Sequence, residues 1–334
     1  MKKTLLTVLV LISVLSLFIG CGSKKETAGT AKEETKVYTL KMSTVLPESD
    51  QLPIHMQKLA DSLLARSNGR LKIEVLAAGV LGDTVQVLEQ AKSGMNVAVI
   101  LDAGRFADYV PAMNIFEAHY NFNNYEEALK FTQSDMFKGW VKEAEQYGIH
   151  VSSWNWFQGA RHYWTQKEMK SIADFKNLKI RTGSSPMWQE IIKAFGATPV
   201  AIAGNEVYSA LQQKVVDGMD AQITTSGNYE EVLSYITKTN QFLLLSGIVV
   251  GQGWYSSLPA DLQMMLDEEV AKFGTEYSNY MLNNLASMEA ELIKRGFTIN
   301  DFDLDAAKKA TDVVYDKFPG FRDLKTQIRT IVEK

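Results

Sequence analysis

Two arginines stand at positions where a guanidinium group could bind an anionic ligand. Arg181 ends a short predicted strand and directly precedes a predicted helix start; ligands of open α/β sheets bind beyond the carboxyl ends of strands, where helix N-termini offer free N–H groups. Arg161 follows the loop-like sequence Gln158-Gly159-Ala160 and precedes the aromatic pair Tyr163-Trp164. Because an arginine can hold a carboxylate through two parallel hydrogen bonds, this pattern favours capture of an organic acid. The alternative for each arginine is an ordinary structural or solvated residue.

The sequence lacks the motifs by which common enzymes and metal sites are identified. None of the four histidines has a His or Cys at metal-ligand spacing. There is no Gly-x-Ser-x-Gly motif, and Gly251-Gln252-Gly253 lacks the third glycine of a dinucleotide site. We therefore predict a protein that is not an enzyme and holds no cofactor and no metal. A catalytic carboxylate pair stays open as an alternative, because the chain has 39 Asp and Glu residues.

The N-terminal segment has the pattern of a bacterial lipoprotein signal. Two lysines precede an apolar run from Leu5 to Ile19, which is too short to span a bilayer comfortably. The run ends at Gly20-Cys21, and Cys21 is the only cysteine of the chain. We predict that residues 1–20 are a signal peptide and that a lipid on Cys21 anchors the protein on the extracytoplasmic side of a membrane. The alternative is an ordinary secretory signal with an incidental cysteine.

The composition is that of a globular protein and argues against nucleic acid as a partner. The 334 residues carry a formal net charge of −4, with 46% hydrophobic and 22% charged residues. Nucleic acid or an anionic membrane surface would require a basic patch, and the sequence contains none. Residues 21–36 are small and polar, so we predict a flexible tether between the lipid and a folded region of about two domains.

The folded region alternates strand and helix patterns. Alternating apolar residues predict strands near residues 37–42 and 71–75, and the apolar run 96–101 predicts a buried parallel strand. Helical spacing predicts helices after Pro53 and over residues 83–92. This order of elements predicts an α/β fold with a largely parallel sheet.

The second half of the chain repeats this pattern and then adds a long helix. A strand ending at Arg181 is followed by predicted helices that begin at Pro186 and Asn205. The amphipathic stretch 261–295 predicts a helix of about 50 Å, long enough to brace two domains. The alternative is two helices broken near Gly274, because glycine has a low helix propensity.

Several motifs occur in one order along the chain. They are Asn68–Val75 (NGRLKIEV), Gly79–Asp83 (GVLGD), Gly159–Arg161 (GAR), Lys176–Thr182 (KNLKIRT), Phe195–Val200 (FGATPV), Asn205–Gln212 (NEVYSALQ) and Val215–Gly218 (VVDG). Together they resemble the DctP-like solute-binding proteins of tripartite ATP-independent periplasmic (TRAP) transporters. The resemblance covers essentially the whole chain after the signal peptide, and no single motif would be specific enough.

The resemblance implies a two-domain periplasmic solute-binding fold of the Venus-flytrap type, with a long helix bracing both domains. Domain I would comprise residues 37–158 and 247–286, and domain II residues 159–246 and 287–334. It implies hinge closure on a small-molecule ligand, a carboxylate, and no catalysis. The implied protein partners are the small and the large TRAP membrane subunits.

The resemblance also implies roles for individual residues. Arg181 corresponds to the arginine that pairs with the ligand carboxylate, and Arg161 to a second arginine that assists it. Asp102 and Arg105 resemble an acidic residue and an arginine near the ligand of sialic-acid-binding members. The alternative for this last pair is a set of polar loop residues at the surface.

Three positions depart from the family pattern. Ala221 stands where many carboxylate-binding members have Asn, Gly204 where an aromatic residue is common, and Val45 where some relatives have a polar residue. These departures predict a roomier and less polar cleft, suited to a larger or more hydrophobic acid. Trp156 and Trp188 are expected to line it, although core packing is the alternative for both.

We therefore predict an extracytoplasmic solute-binding lipoprotein that captures a small organic acid and delivers it to TRAP membrane subunits. One alternative keeps the fold but uses it for a hydrophobic ligand, or for sensing with a partner protein such as a helical-repeat lipoprotein. The other is an extracytoplasmic enzyme with an unrecognised acid–base pair.

Overall fold

A computed structural model describes residues 36–225 and 227–334. The predicted signal peptide, Cys21 and the tether as far as Thr35 lie outside the described residues. Within the two described ranges, no helix combines the length and the apolar character that a membrane span requires.

The described residues contain ten strands of one mixed sheet. The strands are β1 Tyr38–Ser43, β2 Leu71–Leu76, β3 Val97–Leu101, β4 Ile149–Thr165, β5 Lys179–Thr182, β6 Thr198–Ala201, β7 Gly218–Gln222, β8 Tyr235–Lys238, β9 Leu243–Gly251 and β10 Thr298–Asp301. Their order is β2-β1-β3-β9-β4-β7-β5-β6, and β8 pairs with both β4 and β10.

The sheet has two parallel parts joined by antiparallel strands. In one part β1 runs parallel to β2 and β3, and in the other β5 runs parallel to β6 and β7. Strands β4 and β9 are antiparallel to each other and to β7 and β3 respectively. The prediction of an α/β fold is confirmed, but parallel pairing is confined to these two parts and to the pair of β8 with β10. The sequence did not predict the antiparallel pairing of β4 with β9, because these two strands lie far apart in the chain.

Eleven α-helices cover the described sheet. They are α1 Gln51–Arg66, α2 Thr84–Lys92, α3 Ala103–Phe106, α4 Tyr125–Thr132, α5 Asp135–Ala144, α6 Pro186–Ala194, α7 Val207–Gln212, α8 Gln252–Ser256, α9 Ala260–Lys294, α10 Leu304–Thr311 and α11 Phe321–Val332. Short 3₁₀ helices occupy Pro111–Glu117, Glu145–Tyr147, Ile172–Phe175, Gly204–Glu206 and Asp312–Lys317.

Side-chain caps fix where several helices begin. The Asp50 carboxylate accepts a hydrogen bond from the Leu52 N–H at 2.9 Å at the start of α1. Asp83 and Gln86 form a reciprocal capping box at the start of α2. Because these caps satisfy N–H groups that have no partner inside the helix, they define the helix starts from local sequence.

Helix α9 is continuous over its 35 residues, which corresponds to about 52 Å. Gly274 does not break it: a Cβ atom there would lie 2.8 Å from Trp156 Nε1 and closer still to the Asn155 amide. The glycine therefore allows α9 to approach β4 closely. The alternative of two helices broken at this position is wrong, since tertiary packing outweighs local propensity.

The C-terminal elements pack on the middle of the chain. Arg329 of α11 pairs with Glu127 of α4, at the edge of the main core, and the Tyr315 hydroxyl donates to the His119 carbonyl at 2.6 Å. A second, smaller core surrounds Trp164 and includes Leu292. The predicted division into domains I and II places α11 and α4 in different domains, so these contacts cross it.

Candidate functional site

A cavity of about 290 Å³ lies between the two parallel parts of the sheet and is called the Arg181 cavity. Its walls come from the segments that follow β1 and β3, the start of α2, the middle of β4, the segments after β5 and β6, and β7. Seven of its lining residues were named as candidate site residues from the sequence, namely Asp102, Arg105, Arg161, Arg181, Trp188, Gly204 and Ala221. The carboxyl ends of parallel strands thus bring distant segments to one site.

Arg181 presents a buried cation to this cavity without an acidic partner. The residue is 8% exposed, and its Nε and Nη2 donate to the Ile202 carbonyl at 2.9 and 2.6 Å. No ion pair to Arg181 is formed by any carboxylate of the described ranges. Burial lowers the pKa of the guanidinium to about 10; the charge of nearby Asp220 opposes this shift, and those of Arg161 and Arg105 add to it, so Arg181 stays charged at neutral pH. An anionic ligand would supply the missing compensation.

Arg161 differs from Arg181 because its charge is already compensated. Its Nη2 lies 2.9 Å from Asp220 Oδ2, and it also donates to the Asp220 carbonyl at 2.7 Å and to Gln222 Oε1 at 3.0 Å. The side chain of Asp220 is 3% exposed. Arg161 is therefore held rigidly at the cavity, with less capacity than Arg181 to recruit a new anion. The sequence did not predict a role for Asp220, because only the antiparallel register of β4 and β7 places it beside Arg161.

Asp102 and Arg105 form an ion pair at the end of β3. Asp102 also caps α3 by accepting from the Arg105 N–H at 2.9 Å. The pair is part of the cavity wall, as expected, and both side chains are largely buried. The capping sequence Asp-x-x-Arg after a buried strand was the local signal for this arrangement.

Glu117 is a buried carboxyl group behind this pair that sequence reasoning missed. Its Oε1 accepts from the Ala103 N–H at 3.0 Å, while Oε2 has no hydrogen-bond partner among the described residues. Burial raises the pKa of the Glu117 carboxyl well above its ordinary value, and the charge of Asp102 raises it further. Nothing in the local sequence distinguishes Glu117 from a surface glutamate.

Trp188 forms an aromatic wall between two cations. The guanidinium of Arg161 lies 4.9 Å and that of Arg105 5.7 Å from its ring centroid, and Phe242 stacks on it at 5.5 Å. Cation–π contact orients both guanidinium groups.

Trp156 does not belong to the cavity wall, and the prediction that it lines the cleft is corrected. It is fully buried, packs on Tyr277 of α9 at 5.6 Å between ring centroids and donates to Ser153 Oγ at 3.2 Å. Its side chain projects toward α9, because alternate residues of a strand face opposite sides.

The three departures from the family pattern, Val45, Gly204 and Ala221, all line the Arg181 cavity. Gly204 does not leave a gap, because a Cβ atom there would lie 3.3 Å from Val45 Cγ2. Val45 fills the space that an aromatic residue would occupy, and the opposing walls meet at this point. The volume suits a small organic molecule.

Comparison with known proteins gives a family and a fold. The family model described as DctP, bacterial extracellular solute-binding protein, family 7, matches residues 42–320. The chain is 28% identical over 250 residues to the C4-dicarboxylate-binding periplasmic protein DctP of Rhodobacter capsulatus, which covers 73% of this chain and 74% of that protein.

Two solved structures of TRAP periplasmic solute-binding proteins are similar to this fold. One, from Ochrobacterium anthropi with bound L-fuconate, has a TM-score of 0.85 and 26% identity and covers 89% of this chain and 99% of that chain. The other, an apo open structure from Escherichia fergusonii, has a TM-score of 0.76 and 33% identity over 88% and 99% of the two chains.

Proposed function

The chain belongs to family 7 of the bacterial extracellular solute-binding proteins, the DctP family, and on this premise we propose that it captures a small organic acid outside the cytoplasm and delivers it to the membrane subunits of a TRAP transporter. The observation that carries the proposal is the buried Arg181 guanidinium, whose hydrogen-bond partner is a carbonyl and not a carboxylate. A ligand carboxylate at Arg181 would form a desolvated, charge-assisted pair.

The relatives support an acid as the ligand class. The similar proteins are named for C4-dicarboxylate binding and for bound L-fuconate, and both ligands are organic acids. The wall beside Arg181 mixes apolar residues such as Met219 and Leu244 with polar ones such as Gln158 and Tyr229. This mixture suits an acid with a short, partly apolar body.

The mechanism that we propose is hinge closure. Domain I, residues 37–158 and 247–286, and domain II, residues 159–246 and 287–334, would approach each other around the ligand. The contact between Val45 and Gly204 supports this movement, because these residues come from opposite walls. Closure selects a ligand through the contacts that it makes only in the closed state. Such a protein binds and releases its ligand unchanged and needs no catalytic group.

We also propose that a lipid on Cys21 anchors the chain at the membrane, with residues 1–20 removed. The support is the apolar run that ends at Gly20-Cys21. Mass spectrometry of the protein from membranes should find a diacylglyceryl-modified N-terminal cysteine, and in a Cys21→Ser variant the protein should be soluble. An unmodified cysteine in membrane-derived protein would contradict the anchor.

Arg181→Ala should remove the captured ligand. Native mass spectrometry of the purified wild-type protein should detect a co-purified organic acid, which denaturation releases for identification. The variant should carry none, and calorimetry should show a loss of about 2–5 kcal/mol of binding free energy, because one partner of a desolvated charge pair is missing.

Arg322→Ala is the matched control, since Arg322 is 48% exposed and pairs with Asp312 and Asp316 at the surface. It should retain the ligand. If Arg181→Ala binds the identified acid as tightly as wild type, the proposed carboxylate clamp is wrong.

A co-purified ligand without an acidic group would instead support the alternative function. In that alternative the fold is repurposed for a hydrophobic ligand or for sensing with a partner protein, and the apolar Val45 and Ala221 favour it.

A further inference from the structure

A second cavity of about 480 Å³ lies on the side of the sheet where the C-terminal helices pack, and is called the His119 cavity. Its walls are the segment 119–123, the start of β9, α10, the following 3₁₀ helix and α11. Phe242 lines this cavity and also stacks on Trp188 of the Arg181 cavity. Among the described residues the two cavities share no lining residue, and the stacked pair Trp188 and Phe242 lies between them.

Two lysines supply positive charge to the His119 cavity. Lys325 Nζ lies 4.0 Å from the centroid of the Tyr315 ring, and Lys308 Nζ lies 5.8 Å from that of Tyr120. Lys325 forms no ion pair with any carboxylate of the described ranges, and Lys308 has only the highly exposed Asp305, at 3.8 Å. Lys325 is half-buried, and burial lowers the pKa of its ammonium group.

His119 adds an unpaired polar group to the same wall. The residue is 1% exposed, and neither Nδ1 nor Nε2 has a hydrogen-bond partner among the described residues. A buried imidazole that makes no hydrogen bond destabilises the folded state unless a partner enters from elsewhere. Both ring nitrogens are themselves buried, so the cavity as it stands does not give a ligand direct access to them.

The remaining walls combine aromatic and aliphatic side chains with the polar residues Asn123, Asn240 and Thr311. Phe122, Phe242 and Leu304 face the cavity together with the rings of Tyr120 and Tyr315. Asp312 is the acidic residue of the described wall, and its carboxylate is paired with Arg322 at 3.0 Å. The cavity therefore presents aromatic and aliphatic surface beside two ammonium groups.

We propose that the His119 cavity is a second binding site, for a small organic anion with a flat apolar body, such as an aromatic carboxylate. The carboxylate would lie between Lys308 and Lys325. The ring would pack against Phe242 and Leu304. This site is separate from the proposed transport ligand, and its test does not depend on that ligand.

The test uses 4-fluorobenzoate as the probe and fluorine NMR as the measurement. The purified Arg181→Ala protein is titrated, so that the Arg181 cavity no longer offers its unpaired cation. Saturable binding is expected, and it should weaken at least about ten-fold when Lys308→Met and Lys325→Met are added. The neutral analogue 4-fluorobenzamide should bind at least about ten-fold more weakly than the acid.

The matched control adds Lys170→Met and Lys193→Met instead, because both lysines are exposed and pair with glutamates at the surface. This control should bind the probe as the Arg181→Ala protein does. Three results would each overturn the proposal. The variant with Lys308→Met and Lys325→Met could bind the probe as tightly as the variant with Lys170→Met and Lys193→Met. The amide could bind as tightly as the acid, or no saturable binding could appear up to about 10 mM. Thermal unfolding of every variant establishes that it is folded.

Discussion

At the scale of single residues, the Arg181 cavity contains one arginine whose buried charge is paired with a carboxylate and one whose buried charge is not. Arg161 is matched by Asp220 and Gln222, whereas Arg181 is buried with only the Ile202 carbonyl as acceptor. A compensated charge contributes to a rigid wall, but an uncompensated one destabilises the ligand-free protein and is available to a ligand. We therefore expect the ligand to bind at Arg181, because selection for folding stability alone would not preserve an uncompensated buried charge.

This difference predicts opposite effects of two equivalent substitutions. Arg161→Met should lower the free energy of unfolding by about 3–5 kcal/mol, because it leaves the buried Asp220 carboxylate without its partner. Arg181→Met should change it by no more than about 1 kcal/mol, because it removes a desolvated cation and loses hydrogen bonds to one carbonyl. Urea unfolding of ligand-free protein measures both values. A larger loss for Arg181→Met than for Arg161→Met would contradict this account.

At the scale of elements, the site depends on how α9 packs against β4. Strand β4 carries Arg161 and continues from one parallel part of the sheet into the other, and α9 lies along it. Ser278 of α9 accepts from the Phe157 N–H at 2.8 Å and donates to the Asn155 carbonyl at 2.7 Å. These bonds join the helix directly to strand backbone where β4 is irregular. Close approach at Gly274 makes them possible.

Gly274→Ala should therefore destabilise the protein, by about 1–3 kcal/mol, even though alanine favours helix. The added methyl group would overlap Asn155 and Trp156 of β4. Gly139→Ala in α5 is the matched control, since no atom lies within 4 Å of its Cβ position, and it should stabilise by about 0.5–1 kcal/mol. Thermal or urea unfolding compares the two. A stabilising Gly274→Ala would show that the helix is not held close to the strand.

At the scale of the whole molecule, the proposed function requires two walls that meet around a ligand and a fold that tolerates buried ionisable groups. The walls meet at Val45 and Gly204. The core between and behind the cavities buries His119, His162 and Glu117. Each of these groups binds protons differently in the folded and unfolded states, so the stability of the whole chain depends on pH.

The two histidines make the protein less stable in acid. Burial lowers the pKa of His119 well below its ordinary value of 6.5 and that of His162 to about 3. Below pH 6.5 the unfolded state binds protons that the folded state does not, so each histidine removes stability as the pH falls, by about 1.4 kcal/mol per pH unit. The raised pKa of Glu117 acts in the opposite direction above pH 4.5, its ordinary value, and so reduces the net loss of stability.

We therefore expect the free energy of unfolding to fall between pH 6.5 and pH 5, and His119→Phe to reduce that slope by about 1.4 kcal/mol per pH unit. The substitution keeps an aromatic ring beside Tyr120 and Phe195 and loses no hydrogen bond of the ring. Urea unfolding at several pH values measures both slopes, and values at pH 8, where the histidine is neutral in both states, provide the internal control. Equal slopes in the two proteins would exclude His119 as a source of acid sensitivity.

The sequence by itself determined most of the local elements, the fold class and a minority of the cavity residues, among them its arginines. Strand alternation, the Asp83 cap and the period of residues 261–295 are properties of neighbouring residues, and local physics decides them. Arg181 could be placed at the site from its position near the end of a strand and before a helix, Asp102 from the family resemblance, and Trp188 from its position near the Arg181 segment. The family motifs gave the two-domain interpretation for the same reason, since each motif is a short local segment.

Only the tertiary structure decided which of these residues are paired and which are available. The pairing of Arg161 with Asp220 depends on the register between β4 and β7, and the packing of Trp156 on α9 depends on which face of β4 it occupies. Val45 fills the space beside Gly204 because two segments far apart in the chain converge. Contacts of this kind are set by the sum of many weak long-range interactions, and no local pattern of residues records them.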